Sequence, residues 1–414
     1  MQQQRTLEAN ADAYIEEACN ASSALHAHPN QLELEWHHSK KGMTSEISDR
    51  LSQIDWSFED RSTAPGVEAI HPYPAKFIGD IPRSLIEALP IPNNTVVFDP
   101  FCGSGTTLVE AQRSGRDSIG IDLNPIACLI SRVKTSPPPS GLQDVIYEIV
   151  RQSRKMTTVD VPDIPNVDHW FSPAVKQAVA SLSKSIASDE FQEWSNHLRL
   201  ALSSIIVRVS NQDSDTRYAA VEKGVGRDDV FTLFESAALK VERSLSNRDW
   251  DLCPSKIIEG DTLTISPMEI GSRVGLVVTS PPYPNAYEYW LYHKYRMWWL
   301  GFDPIGVKEK EIGARAHFFK KNHHTADSFV GQMQSTMSLI NSVLVPDGFA
   351  CFVVGRSKIH GKIVNNADII ERAGNEVGLD TIWRFDRPIK SSRKAFNLSH
   401  ANIKTETVLV FRKK

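Results

Sequence analysis

The sequence predicts an α/β protein: a doubly wound, seven-stranded, mostly parallel sheet broken by a helical insertion. Three observations carry this. Short β-branched runs alternate with helix-length segments, as in strand–helix–strand units. The alternation opens on a strand, a glycine turn, a helix, a second strand and an acid across residues 95–124. That is the order at the nucleotide-binding edge of such sheets. It then stops at Pro137–Gly141 (PPPSG) and resumes at Ser255, with mostly helical, amphipathic sequence over 142–250.

Taken in order, residues 1–60 hold eleven Asp/Glu against four Lys/Arg with a weak apolar pattern, and read as an acidic extension. PRSLIEAL (Pro82–Leu89) reads as a helix with Pro in its first turn. TVVFDPF (Thr95–Phe101) is the first strand, and TTLVEAQRSG (Thr106–Gly115) a helix closed by Gly115. SIGIDLN (Ser118–Asn124) is the second strand. Five more runs complete the seven: Ser255–Leu263, Gly275–Tyr283, Gly348–Gly355, Leu379–Asp386 and Thr405–Lys413.

Composition narrows the class. The chain of 414 residues exceeds one minimal domain. Its 41% hydrophobic and 23% charged residues are ordinary for a globular protein in water. No apolar run approaches the roughly 20 residues needed to span a bilayer. The polar start MQQQRTLEANADAYIEE has no signal-peptide core, so a cytoplasmic location is expected. The five cysteines include no C-x-x-C pair, which disfavours zinc and disulfides and suits a reducing compartment. The net charge of -4 does not advertise a polyanion binder, yet residues 381–414 hold nine Lys/Arg against two Asp/Glu. That basic tail is either solvated surface or a phosphate-contacting face.

Two motifs carry chemistry. In Asp99-Pro-Phe-Cys-Gly-Ser-Gly-Thr-Thr107, Gly103 and Gly105 let backbone approach a ligand, and the helix that follows favours an anion at its start. No Lys follows Gly105, which excludes a phosphate-binding loop of the G-x-x-x-x-G-K type. Leu108 stands where a dinucleotide site wants a third glycine. Asp122, ending the next strand, is placed to accept from a ribose diol, or to cap a helix. In Thr279-Ser-Pro-Pro-Tyr283 the prolines fix an extended turn, and Tyr283 either stacks on a planar base or is a structural aromatic at a strand exit.

Together these motifs resemble the DNA amino-methyltransferases, the family that makes N4-methylcytosine and N6-methyladenine. The resemblance covers roughly residues 68–135 and 255–414 and implies a Rossmann-like methyltransferase sheet that binds S-adenosyl-L-methionine. It assigns Asp99, Pro100, Phe101, Cys102, Gly103, Gly105, Thr106 and Thr107 to the methionine side of the cofactor. Asp122 and Leu123 go to the ribose, and Asp261 of Gly260-Asp261 to the adenine. His71, Tyr73, Lys76 and Phe77, in HPYPAKF, lie over the methionine end. Ser280, Pro281, Pro282 and Tyr283 form the catalytic motif. Its serine form is typical of cytosine-N4 enzymes, whereas D-P-P-Y usually marks adenine-N6 enzymes. No Pro-Cys dipeptide is present, which disfavours methylation at cytosine C5.

The expected organisation is an extension (1–67), a first catalytic part (68–136), a helical insertion (137–254) and a second catalytic part (255–414). The insertion matches no known recognition domain and is open between target recognition, a brace and a dimer surface. The helical spacing of Tyr289, Tyr292, Arg296 and Trp299 is open between core and site. Lys308–His324 reads as a loop closing on DNA, and its histidines lack the carboxylates a metal site would want. Lys320, Lys321, Arg387, Lys390, Arg393 and Lys394 are the expected phosphate contacts. The expected partner is double-stranded DNA, with a cognate restriction endonuclease as a further candidate, in the cytoplasm at a prokaryotic nucleoid. Rival readings are adenine-N6 methylation, an RNA base methyltransferase and an inactive DNA-binding scaffold.

Overall fold

The structure, a computed structural model, describes residues 44–59, 66–74, 77–215, 217–284, 288–318, 323–359, 362–389 and 405–414. The chain divides into two compact units, Met1–Gln53 and Ile54–Lys414. In the first, residues 44–52 are helical.

The second unit begins with α1 (Asp80–Ala88), β1 (Val96–Asp99), α2 (Thr106–Arg113), β2 (Ser118–Asp122) and α3 (Pro125–Thr135). Pro82 lies in the first turn of α1, where its missing N–H leaves no broken bond. Helix α2 stops at Arg113, and Gly115 takes φ +67, the left-handed conformation that closes helices. At the start of α3 the Asn124 side chain accepts the Ile126 N–H, and Pro125 fills the first helical position.

The insertion holds α4 (Leu142–Lys155), α5 (Val167–Trp170), α6 (Pro173–Ile186), α7 (Ser195–Val209) and α8 (Arg227–Ser246). Between α7 and α8 stands a hairpin, β3 (Gln212–Ser214) with β4 (Arg217–Ala220), which the sequence reading did not anticipate. Its strands are three and four residues long and carry no alternating apolar pattern. The chain continues through β5 (Ser255–Glu259), α9 (Pro267–Ile270), β6 (Val274–Thr279), α10 (Tyr289–Trp299), α11 (Pro304–Lys310), α12 (Arg315–Phe318) and α13 (Ala326–Val343). It closes with β7 (Leu344–Val354), a second hairpin β8 (Arg356–Ile359) and β9 (Lys362–Asn365), α14 (Asn366–Glu376), β10 (Leu379–Pro388) and β11 (Thr405–Lys413).

The seven strands expected from the sequence are the seven of the main sheet, in the order β10-β11-β7-β6-β1-β2-β5. Only β11 runs against its neighbours. The result is a Rossmann-like doubly wound sheet. Burial on both faces explains why β6 reads as an unbroken apolar run, VGLVVT. One core cluster joins β1, β2, β6, β7 and β11 to α13 and α14, through Phe98, Val277, Met337 and Phe411. The insertion buries a core of its own, including Ile146, Phe171, Leu182 and Phe234, and takes Tyr295 and Trp299 of α10 into it. Among the described residues no helix is long and apolar enough to cross a membrane.

From β1 the chain winds one way through β2 to β5, then returns to lay β6 on the other side. In open α/β sheets such a reversal leaves a crevice at the carboxyl ends of the strands, where ligands bind. Both chemistry-bearing motifs leave the sheet there.

Candidate functional site

Strands β1 and β6 pair side by side, with Phe98 opposite Val277. Beyond that pair, Thr279 Oγ1 donates to Asp99 Oδ1 at 2.6 Å, and Thr107 Oγ1 donates to the Val278 carbonyl at 3.3 Å. The glycine loop and the strand that delivers Ser280 are therefore one hydrogen-bonded piece. Burial pushes the Asp99 carboxyl up to about 6, against the pull of bonds from Thr279, Thr107 and the Phe101 N–H.

The loop is built for glycine. Gly103 and Gly105 sit at φ +50 and +77. A Cβ on Gly105 would also lie 2.7 Å from Ser131 Oγ on α3, so the helix excludes a side chain. Ser131 Oγ donates to the Gly103 carbonyl at 2.9 Å. Asp122 accepts the Gly103 N–H on one oxygen and the Asn124 N–H on the other, both at 2.8 Å. An ionised carboxylate has about four acceptor sites, so one on each oxygen remains for a diol. Burial pushes Asp122 up to about 6 as well.

The remaining walls come from three places. The Tyr73 ring lies against Gly103 and stacks on Tyr289 and His293 at centroid distances of 5.7 and 5.2 Å. The Gly260 N–H donates to the Asp122 carbonyl at 3.0 Å, and Asp261 accepts the Leu263 N–H at 2.9 Å. Thr262 Oγ1 bonds the Pro100 carbonyl, so this turn is fastened to the first loop. Phe77, Phe101 and Leu123 are partly exposed apolar residues in these segments.

The catalytic-type motif stands next to the loop. Ser280 Oγ is 3.4 Å from the Tyr283 hydroxyl, which the backbone of Gly355 at the end of β7 also hydrogen-bonds. Burial, with Glu406 nearby, raises the Tyr283 hydroxyl above its ordinary range and keeps it a neutral phenol. Pro281 is buried and Pro282 partly exposed.

Several expected residues are placed differently. His71 is buried with Nδ1 2.6 Å from the Pro72 carbonyl and Nε2 2.9 Å from Ser203 Oγ on α7. It fastens its segment to the insertion. The Cys102 side chain is buried against Gly120, and burial pushes its thiol well up, while its N–H donates to the Ile121 carbonyl at 2.9 Å. Arg387 is a correction. Expected to meet phosphate, it is 2% exposed, paired with Glu406 at 2.5 Å and bonded to the Trp56 carbonyl at 3.0 Å. Strand register places Glu406 directly opposite it, a neighbour no local pattern reveals. Lys76, Lys320, Lys321, Lys390, Arg393 and Lys394 lie outside the described residues.

Other residues were missed. Glu311 sits in the Lys308–His324 stretch read as a loop closing on DNA, yet it is buried and accepts the Tyr289 and Trp290 N–H groups, each at 2.8 Å. It caps α10, and burial pushes it up to about 8. Gly313 has φ +75, and a Cβ there would lie 2.3 Å from the Tyr283 carbonyl oxygen. The stripe of α10 divides: Arg296 and Trp299 are buried, whereas Tyr289 and Tyr292 are partly exposed and Tyr289 stacks on Tyr73. Arg296 is buried, donates to the Ser203 and Tyr292 carbonyls at 3.0 and 3.1 Å, and pairs with Asp215.

A family model described as DNA methylase matches residues 17–132 and 274–414, more than half of the chain, and leaves the insertion unmatched. Among curated proteins the chain is similar to the type II methyltransferase M.MvaI of Kocuria varians, at 26% identity over 269 residues, 59% of this chain and 58% of that protein. It is also similar to the type II methyltransferase M.BsoBI of Geobacillus stearothermophilus, at 22% identity over 57% of this chain and 53% of that protein. The chain thus spans little more than half the length of these relatives. Among solved structures it is similar to the rRNA methyltransferase aviRa from Streptomyces viridochromogenes, with TM-score 0.33 and 14% identity over 88% of this chain and 94% of that one.

Proposed function

The chain belongs to the DNA methylase family, and on that premise we propose that it methylates the exocyclic N4 amine of cytosine in duplex DNA. The observation that carries this reading is the fastening of the glycine loop to the Ser280 motif at the topological switch point, through Thr279 and Asp99. The methyl donor is S-adenosylmethionine, which supplies an electrophilic methyl group when bound. The residues present fit it: Gly103 and Gly105 adopt the left-handed conformations of a tight turn, the start of α2 that follows favours an anionic group, and Asp122 keeps acceptor capacity for a ribose.

What the chain's own residues do follows from their chemistry. The amine of cytosine is conjugated with its ring and is a poor nucleophile. Ser280 Oγ and the Pro281 carbonyl accept its two hydrogens and favour a pyramidal nitrogen whose lone pair points away from the ring. Tyr283 stacks on the base. Holding such a geometry supplies roughly 7–11 kcal/mol in well-oriented systems, so no covalent intermediate with the base is needed. Extruding the base costs a few kcal/mol. Serine in place of the aspartate of D-P-P-Y supports cytosine over adenine. We assign target recognition to the insertion, because a region that differs between members should fall outside the family model, as this one does.

Tritium transfer to unmethylated genomic DNA, followed by mass spectrometry of the nucleosides, tests the reading. N4-methylcytosine is expected, and N6-methyladenine would replace the cytosine assignment. Ser280→Ala should slow transfer by up to the roughly 2.7–4 kcal/mol lost with one transition-state hydrogen bond, with cofactor affinity nearly intact. Full activity in that variant would remove Ser280 from the mechanism.

A further inference from the structure

The β8–β9 hairpin rises from the end of β7, directly after Gly355, whose backbone bonds the Tyr283 hydroxyl. Its base is rigid: buried Asn366 Nδ2 donates to the Gly355 carbonyl and to Ser357 Oγ, each at 2.8 Å. Its two faces differ. Ser357 and Ile359 are buried. The register puts Arg356 opposite Asn365 and Lys358 opposite Ile363, so these four share the other face. Ile363 is 74% exposed there, an isolated isoleucine among cations. Residues 356–366 contain no Asp or Glu, and Arg356 and Lys362 make no ion pair among the described residues.

We infer that this hairpin is a DNA-contacting element, resting on the DNA reading above. Arg356 and Lys358, on the face of Ile363, neutralise phosphates beside the target base. Ile363 packs into the duplex where that base has left the stack. Charge complementarity selects a polyanion, since exposed cations that neutralise phosphates release the condensed counterions of the duplex. The exposed isoleucine selects a duplex being opened, because apolar side chains are what proteins insert between base steps. The rigid link through Gly355 to Tyr283 keeps both ends of the device in register with the catalytic motif.

The test uses the full chain with Arg356→Gln/Lys358→Gln and, separately, Ile363→Ser. All three side chains are exposed, and thermal melting verifies each fold. Anisotropy on a mixed-sequence duplex across a salt series reads the first variant. The slope of log K against log salt should flatten by about 0.9 for each lost phosphate contact, about 1.8 in all. Ile363→Ser should lower methyl incorporation into unmethylated genomic DNA by roughly tenfold, the factor for losing burial of one aliphatic side chain. Calorimetry should show unchanged cofactor affinity in both variants. An unaltered slope together with unaltered incorporation, against an active wild type, overturns the hairpin's role alone. A wild type that neither binds nor methylates duplex DNA overturns the DNA reading and this inference with it.

Discussion

Asp99 and Asp122 are both held near a carboxyl value of about 6 by burial, at the two points where the glycine loop is fastened. As the pH falls through about 6 each takes up a proton. Asp122 then loses acceptor capacity for the Gly103 N–H and for the ribose diol proposed above. Cofactor affinity should therefore be full above neutrality and fall below about pH 6. The sign for stability is opposite. A carboxyl whose folded value is raised binds protons more readily in the folded state, so acidification from 6 towards 4 favours the fold on account of these two groups. Calorimetric titrations from pH 7.5 to 5.5, with melting curves at each pH, separate the two effects. Constant affinity across that range would show that neither carboxyl holds the cofactor. The turn at Gly103 and Gly105 was legible because the spacing of its glycines carries the left-handed conformations it needs. Arg387 was not: its partner Glu406 comes from the neighbouring strand, and only register brings them together.

At the scale of elements, the strands announced themselves because a buried parallel strand must be apolar along its whole length. The two small hairpins did not, since β3 and β4 bury little and β8 hides its alternation in four residues. Helix α10 shows the limit of periodicity. Its aromatic stripe fits a core and a site equally well, and the structure divides it: Trp299 enters the insertion's core, whereas Tyr289 stacks on Tyr73 beside Gly103. Gly313 is the sharpest case, for nothing in its local sequence marks it, yet the Tyr283 backbone rests on it. Gly313→Ala should push that backbone aside and cost about 1–2 kcal/mol from the left-handed conformation alone. The expected signature is a loss of methyl transfer with cofactor affinity kept, measured with tritiated cofactor and by calorimetry. Transfer at the wild-type rate would mean that Tyr283 does not depend on this contact.

For the whole molecule, the winding order of the sheet brings residues 99–107 and 279–283 to one crevice across a long sequence separation, with the insertion packed on α10 behind it. A ligand that binds only this assembled crevice should stabilise the fold by about 2.7 kcal/mol at a hundredfold excess over its Kd. Urea unfolding with and without S-adenosylhomocysteine reads this, and Asp122→Asn should reduce the gain. An unchanged midpoint in the wild type would count against a preformed cofactor site. The sequence by itself determined the seven strands, the glycine loop and the two motifs, because local propensity, turn chemistry and chain-neighbour spacing are properties of contiguous residues. Tertiary structure alone decided which strands lie side by side, that Arg387 is spent on Glu406, that Glu311 caps a helix from a buried position, and that a cationic hairpin stands beside Tyr283. Each of these depends on burial and register between segments far apart in the chain, which no local pattern encodes.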